Sequence, residues 1–237
     1  MRDDPASSLA HFDAARVTFA EAPPILAQIE SNRAEAPLDL GRFAEAEGAF
    51  APSLAAFEAA GIARAAAIAE GNLADLLSRQ GRLEESLGRF ERARRALEEA
   101  NAPADLARLR AEEADTLATV GLLEESATAY REALEALGAA GLAAEGARAK
   151  VGLAQVLARF GRLDDAAGQL EAAIAAFEAI PNPTGAARAG VLLARLRLAR
   201  GRSDEATALL DRFENVLRER PVDALAGMSV RAAIARG

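Results

Sequence analysis

The sequence predicts an all-α solenoid of about 12 helices stacked as antiparallel pairs. Three observations carry that expectation. Gly41, Gly81, Gly121, Gly161 and Gly201 recur at intervals of 40 residues. An apolar or small residue follows each glycine at offsets stepping by three and four, the spacing of one helix face. The chain is 51% hydrophobic but only 4% aromatic. Much of that apolar fraction is alanine, the best helix former and a poor core filler. No segment alternates with the period of a strand, and no linker interrupts the register.

The phrase after each glycine repeats: Gly41-Arg42-Phe43-Ala44-Glu45-Ala46, Gly81-Arg82-Leu83-Glu84-Glu85-Ser86, Gly121-Leu122-Leu123-Glu124-Glu125-Ser126, Gly161-Arg162-Leu163-Asp164-Asp165-Ala166 and Gly201-Arg202-Ser203-Asp204-Glu205-Ala206. Small residues precede the glycine by seven: Ala34, Ala74, Ala114, Ala154 and Ala194. Others follow it by five: Ala46, Ser86, Ser126, Ala166 and Ala206. Two helices can approach closely through such positions. Large residues stand nine after it (Phe50, Phe90, Tyr130, Leu170, Leu210) and sixteen after it (Phe57, Leu97, Leu137, Phe177, Leu217). Each unit is therefore a first helix, a glycine turn and a second helix. The glycine supplies the left-handed exit of the first helix. The acidic pairs sit in the first turn of the second, where the helix dipole favours them.

In order, helices are expected over 6–20, 23–40, 42–59, 62–79, 82–99, 102–119, 122–139, 142–159, 162–179, 183–200, 202–219 and 222–236. Asn101-Ala102-Pro103 and Pro181-Asn182-Pro183-Thr184-Gly185 are loop chemistry between units. Pro37 takes the place of Leu77, Leu117 and Leu157 and should kink or shorten its helix. Arg197 stands in the same column of the fifth repeat. The whole of 1–237 reads as one array.

Composition excludes much. There is no Cys, so disulfides, thiolate nucleophiles and Cys-ligated metals are out. A lone histidine, His11, rules out a His-rich metal site and counts against a His-based triad. A net charge of −8 opposes general binding to nucleic acid or anionic membrane. There is no phosphate-cradling Gly-rich motif, no apolar signal core and no membrane-length apolar run. The acidic pairs recur in every repeat, as helix starts do and catalytic dyads do not. The expectation is a cytoplasmic, non-catalytic protein without cofactor or metal.

These columns resemble the tetratricopeptide repeat. Leu73, Ala74, Leu77, Gly81, Ser86, Phe90 and Ala93 of the second repeat fall on the family's pattern. The family unit is usually 34 residues. A period of 40 is similar to the longer variety in kinesin light chains, in bacterial regulators ahead of CHAT domains, and in large ATPase transcription activators. The resemblance implies a right-handed superhelix whose first helices line a concave groove that takes ligands. It places Gln28, Ile68, Arg108, Arg148 and Arg188 on that groove. With them come Asn32, Asn72, Glu112, Gly152 and Leu192; Glu35, Asp75, Asp115, Gln155 and Arg195; and Asp39, Arg79, Thr119, Arg159 and Ala199.

Two features of that surface stand out. Arg108, Arg148 and Arg188 form a ladder at the repeat spacing, with Arg159 and Arg195 nearby, and Arg79 is a further candidate of the groove. Arginine forks hold carboxylates bidentately, so an acidic peptide or helix is the natural ligand. The bland alternative pairs each arginine with a neighbour, such as Glu112 or Asp115 for Arg108. The second feature is Asn32 and Asn72, at a column where peptide-binding members of the family hydrogen-bond a ligand backbone. Asn72-Leu73-Ala74 fits that motif, and Asn32-Arg33-Ala34 lacks its leucine.

Both ends read as cut. The first helix has no partner before it, and Leu225, Met228, Val230 and Ile234 have no helix after them. Terminal repeats normally carry a polar cap. Either the chain is part of a longer protein or its ends stack in a homo-oligomer. The functional expectation is a module that binds a protein or peptide partner and regulates an effector domain of a longer bacterial chain. The alternative is a structural or oligomerising spacer with no groove ligand.

Overall fold

The computed structural model describes residues 12–15, 18–19, 22–39, 41–219 and 221–235. His11 and much of the expected helix 6–20 lie outside them. The elements are α1 (Pro23–Asp39), α2 (Phe43–Ala59), α3 (Ala63–Arg79), α4 (Leu83–Glu99), α5 (Pro103–Thr119), α6 (Leu123–Ala139), α7 (Ala143–Arg159), α8 (Leu163–Ala179), α9 (Pro183–Ala199), α10 (Ser203–Arg212), α11 (Glu214–Arg218) and α12 (Pro221–Ile234). No strand occurs among the described residues. Odd-numbered α1–α9 are the first helices of the five repeats and even-numbered α2–α10 the second.

The turns show why the register holds. Gly81 has φ +77°, and its N–H donates to the Ser78 carbonyl at 2.9 Å. Arg82 N–H donates to the Leu77 carbonyl at 2.9 Å, closing a Schellman turn. The other four repeat glycines do the same, with Arg42, Leu122, Arg162 and Arg202 as donors. A second series of left-handed residues falls halfway between them. Gly61, Asn101 and Gly141 have φ of +68°, +48° and +69° and end α2, α4 and α6. Pro181 cannot adopt that conformation. There Ile180 is extended, at φ −116° and ψ 151°. Asn182 caps α9 instead, accepting the Gly185 N–H at 3.0 Å ahead of Pro183 at the first helical position.

Three of the second helices start with the same device. Arg82 precedes α4 and makes no side-chain cap. Its guanidinium forks onto Glu85 in the first turn, at 2.8 and 2.6 Å. Arg42 and Glu45 repeat the fork at 2.7 and 2.6 Å. Arg162 meets Asp165 at 2.7 Å. Hydrogen bonding from Arg82 holds the Glu85 carboxyl below its ordinary range.

The chain divides into two compact units, Met1–Thr116 and Leu117–Gly237, with the boundary inside α5. In the first unit Phe50 packs among Ala34, Ala46, Ala49, Leu73 and Leu76. Phe90 packs among Ala67, Ala74, Ala93, Leu97 and Leu109. The small columns meet as expected: buried Ser86 donates its hydroxyl to the Ala74 carbonyl at 2.7 Å. Pro37 is buried, and α1 still runs 17 residues to Asp39, as long as its equivalents. The expected shortening does not occur. Arg42 N–H reaches over the Pro37 carbonyl at 2.8 Å and completes the usual turn.

In the second unit, large residues fit against glycines of a neighbouring helix. A Cβ on Gly152 of α7 would lie 2.2 Å from the Tyr130 hydroxyl oxygen of α6. One on Gly185 would lie 2.6 Å from the Phe177 ring, and one on Gly190 would lie 2.4 Å from the Phe213 ring. Phe213 stands in a column that is Ser53, Ala93, Ala133 and Ala173 elsewhere. The expected helix 202–219 breaks there into α10 and α11, with Phe213 at φ −103° and ψ 6°. On α12, Val230 is buried whereas Leu225 and Met228 are 65% and 63% exposed.

Candidate partner-binding face

In the first unit the expected site residues already have partners on their own or neighbouring helices. Asn32 is exposed, and its side-chain oxygen accepts from Gln28 one turn earlier at 2.8 Å. Asn72 is half-buried and donates to Ser31 of α1 at 3.2 Å, bridging two first helices. Arg79 binds Asp75 at 3.0 Å. Arg108 binds Asp105 at 3.0 Å, and Arg64 reaches the other oxygen of that buried carboxylate from α3 at 2.5 Å. The contact with Asp105 holds Arg64 more firmly protonated than usual. Asp105 was not among the acids that sequence reasoning offered Arg108. The connection from Arg64 runs across a whole repeat, and local spacing does not reveal it.

The second unit differs. Arg148, Gln155 and Arg159 run along an exposed stripe of α7, and Arg188, Arg195 and Ala199 along one of α9. Both helices pack on α8. Among the described residues, Arg148 has only a 3.8 Å contact with Glu145. Arg159 donates to a backbone carbonyl, that of Ala118, which leaves its charge uncompensated. Arg188 uses its Nε on the mostly buried Asp223, at 2.8 Å, and stays half-exposed. Arg195 is exposed and meets no carboxylate among the described residues. Gly152, placed on the groove by the resemblance, is partly exposed, and the space where its side chain would lie is taken by Tyr130.

Charge is segregated by helix layer. The first helices α7 and α9 carry Arg148, Lys150, Arg159, Arg188, Arg195 and Arg197 against one carboxylate, Glu145. The second helices α6 and α8 carry Glu124, Glu125, Glu132, Glu135, Asp164, Asp165, Glu171 and Glu178 against one cation, Arg131. Arg197 was noted in sequence only as a departure from the leucine column. It turns toward the acidic layer, contacting Glu171 and Glu205.

Among the described residues, no group of three or more metal-ligating side chains converges, and no helix is long and apolar enough to cross a membrane. The arrangement offers cationic hydrogen-bond donors on rigid helices, suited to holding carboxylates.

No curated protein matches the sequence. Solved structures that resemble it share the fold at low identity. BtubC (BKLC) from P. vanneervenii superposes with a TM-score of 0.69 at 18% identity, over 90% of this chain and 87% of that one. A Signal Transduction ATPase with Numerous Domains from Pyrococcus horikoshii, with a tetratricopeptide repeat sensor, gives 0.73 at 18% identity. That match covers 99% of this chain and 39% of the other. A Rap protein complexed with Competence and Sporulation Factor gives 0.70 at 16% identity, over 99% and 68%. A tetratricopeptide repeat family model matches residues 25–99, and the model described as the MalT-like TPR region matches residues 78–237. That second match spans most of the chain, with the turn glycines Gly81, Gly121, Gly161 and Gly201 inside it: the chain belongs to the MalT-like tetratricopeptide repeat family.

Proposed function

We propose that this chain is a protein-interaction module whose first-helix face in the second unit, built on α7 and α9, binds an acidic segment of a partner protein or of a flanking domain. The observation that carries the proposal is the uncompensated charge of that face. Among the described residues, Arg195 meets no carboxylate, Arg159 meets only a carbonyl, and Arg148 has one loose contact. A guanidinium is more weakly hydrated than an ammonium and donates two parallel hydrogen bonds to a bidentate carboxylate. Several such rungs on rigid helices add specificity of spacing. The bound Rap structure and the repeat sensor of the ATPase are consistent with a binding role for this fold. In a longer parent chain, the same contact would let the array regulate an effector domain. On this reading Asn72 ties α3 to α1, while Asn32, Arg79 and Arg108 engage neighbours on their own helices.

The test is binding of a fluorescent oligoglutamate peptide, and capture of partners from source-cell extract, by the wild type and by Arg148→Glu/Arg188→Glu/Arg195→Glu. Each lost contact is worth ~0.2–1 kcal/mol, so affinity should fall by roughly threefold to a hundredfold for the three together. Equal binding by a folded triple variant overturns the reading. Equal binding together with particle mass that rises with concentration favours the oligomerising spacer.

A further inference from the structure

The junction between the fourth and fifth repeats is built differently from the other junctions of the array. Leucines at the fourth position before the repeat glycine fill the core as Leu77, Leu117 and Leu157. Here the position is Arg197. Its guanidinium lies between two second helices, binding Glu171 of α8 and, at 3.4 Å, Glu205 of α10. Arg212 of α10 crosses the same gap to Glu178 of α8 at 2.5 Å. Arg200, at the end of α9, binds Asp164 at the start of α8. Between the two second helices runs a cleft of about 480 Å³, floored by Ile174, Leu193 and Leu209 and rimmed by Glu171, Glu178 and Glu205.

Other departures gather here. Unlike the turns into α3, α5 and α7, the turn into α9 has no left-handed residue, because Pro181 occupies its place. The helix after the junction is broken at Phe213, whose ring needs the space left by Gly190. Arg212 lies over that ring, 5.1 Å from its centroid.

We propose that this junction is a salt-sensitive flexure: the spacing of α8 and α10 is held by arginine–carboxylate bridges rather than by a filled apolar column, and it opens ahead of the rest of the second unit as those bridges are screened. The physical ground is the contrast between the two kinds of contact. Apolar burial is indifferent to moderate salt, whereas half-exposed ion pairs weaken as the Debye length falls to about 3 Å at 1 M. Repeat arrays have no long-range contacts to hide a weak junction, because each unit rests on its neighbours. Stability therefore varies along the array, and the weakest seam opens first. Whether the basic face binds an acidic segment does not enter this inference.

The experiment is hydrogen–deuterium exchange with peptide-level readout on the full chain, in 50 mM and 1 M NaCl. Exchange in α10 and α11 should accelerate by roughly fivefold with salt, the sum of a few exposed pairs. Exchange in α6 and α7 should stay constant. Arg197→Leu restores the apolar column, so α10 should exchange more slowly and lose most of its salt dependence. Glu171→Gln/Glu205→Gln keeps the packing and removes the charges. In 50 mM salt its α10 should exchange faster than the wild type and part of the way to the wild type in 1 M, since Arg212–Glu178 and Arg200–Asp164 remain, and this variant decides if Arg197→Leu does not fold. Salt-independent exchange of wild-type α10 overturns the proposal, as does an Arg197→Leu profile that matches the wild type.

Discussion

At the scale of single residues, the second unit depends on where side chains are missing as much as on where they are present. Gly152 and Gly168 are both helical glycines, and helix propensity alone predicts that alanine stabilises either by ~0.5–1 kcal/mol. Their surroundings separate them. A Cβ at Gly168 meets nothing within 4 Å, so Gly168→Ala should raise stability by about that amount. A Cβ at Gly152 would lie 2.2–2.7 Å from the Tyr130 ring and hydroxyl. Gly152→Ala should therefore cost ~1–3 kcal/mol, as overpacking does. Chemical denaturation of the two variants checks the opposite signs. Pairing Gly152→Ala with Tyr130→Leu should recover part of the loss, because the ring is what the methyl meets. The sequence showed Tyr130 as a core residue from its column, but its glycine partner was taken for a groove position. That pairing joins two helices, and the period of one helix carries no information about which neighbour fills its gaps.

The helix and its turn are the scale at which the sequence was most legible. A left-handed turn residue strongly favours glycine, so a fixed glycine spacing exposes helix ends directly. Alanine at Gly121, with φ +86°, should cost ~1–2 kcal/mol for the left-handed backbone alone. The same measurement on Gly138, a helical glycine with nothing within 4 Å of an added Cβ, should show a gain. The halfway turns at Gly61, Asn101 and Gly141 were harder to see. Their columns also contain Pro181, which achieves the turn by a different route. The helix starts carry a titration prediction. Glu85 is held below the ordinary carboxyl range, first by its hydrogen bonds from Arg82. A depressed folded pKa gives stability present above the unfolded value, ~4.3, and lost as pH falls through the folded value. Arg82→Ala should move the Glu85 titration upward toward that value, as read by carboxyl NMR shifts. An unmoved Glu85 would mean that another group, not Arg82, depresses it. Pairs between repeats, such as Arg188–Asp223 and Arg64–Asp105, were illegible for the opposite reason. They are set by stacking across 35 and 41 residues, and no local pattern predicts which carboxylate arrives.

For the whole molecule, the net charge of −8 and a basic binding face are in tension only if charge is spread evenly. In the second unit it is not: the first helices are basic and the second helices acidic. An acidic segment approaching the chain feels the overall negative field first and the local arginines at contact. Long-range repulsion should therefore slow association, whereas the short contacts on α7 and α9 should set the lifetime of the complex. Neutralising the acidic layer tests this separation directly. Glu124, Glu125, Glu132 and Glu135 all lie on α6, away from the arginine stripes. Glu124→Gln/Glu125→Gln/Glu132→Gln/Glu135→Gln should raise the on-rate for an oligoglutamate peptide by roughly two- to threefold at low salt, with the gain vanishing near 0.5 M as screening sets in. The off-rate should not change. Stopped-flow fluorescence measures both rates. A changed off-rate would mean that the peptide touches the acidic layer itself, which places binding on the wrong side of the unit for the arginine face. An on-rate that ignores the four charges would mean that the local field of Arg148, Arg159, Arg188 and Arg195 dominates the approach as well as the contact.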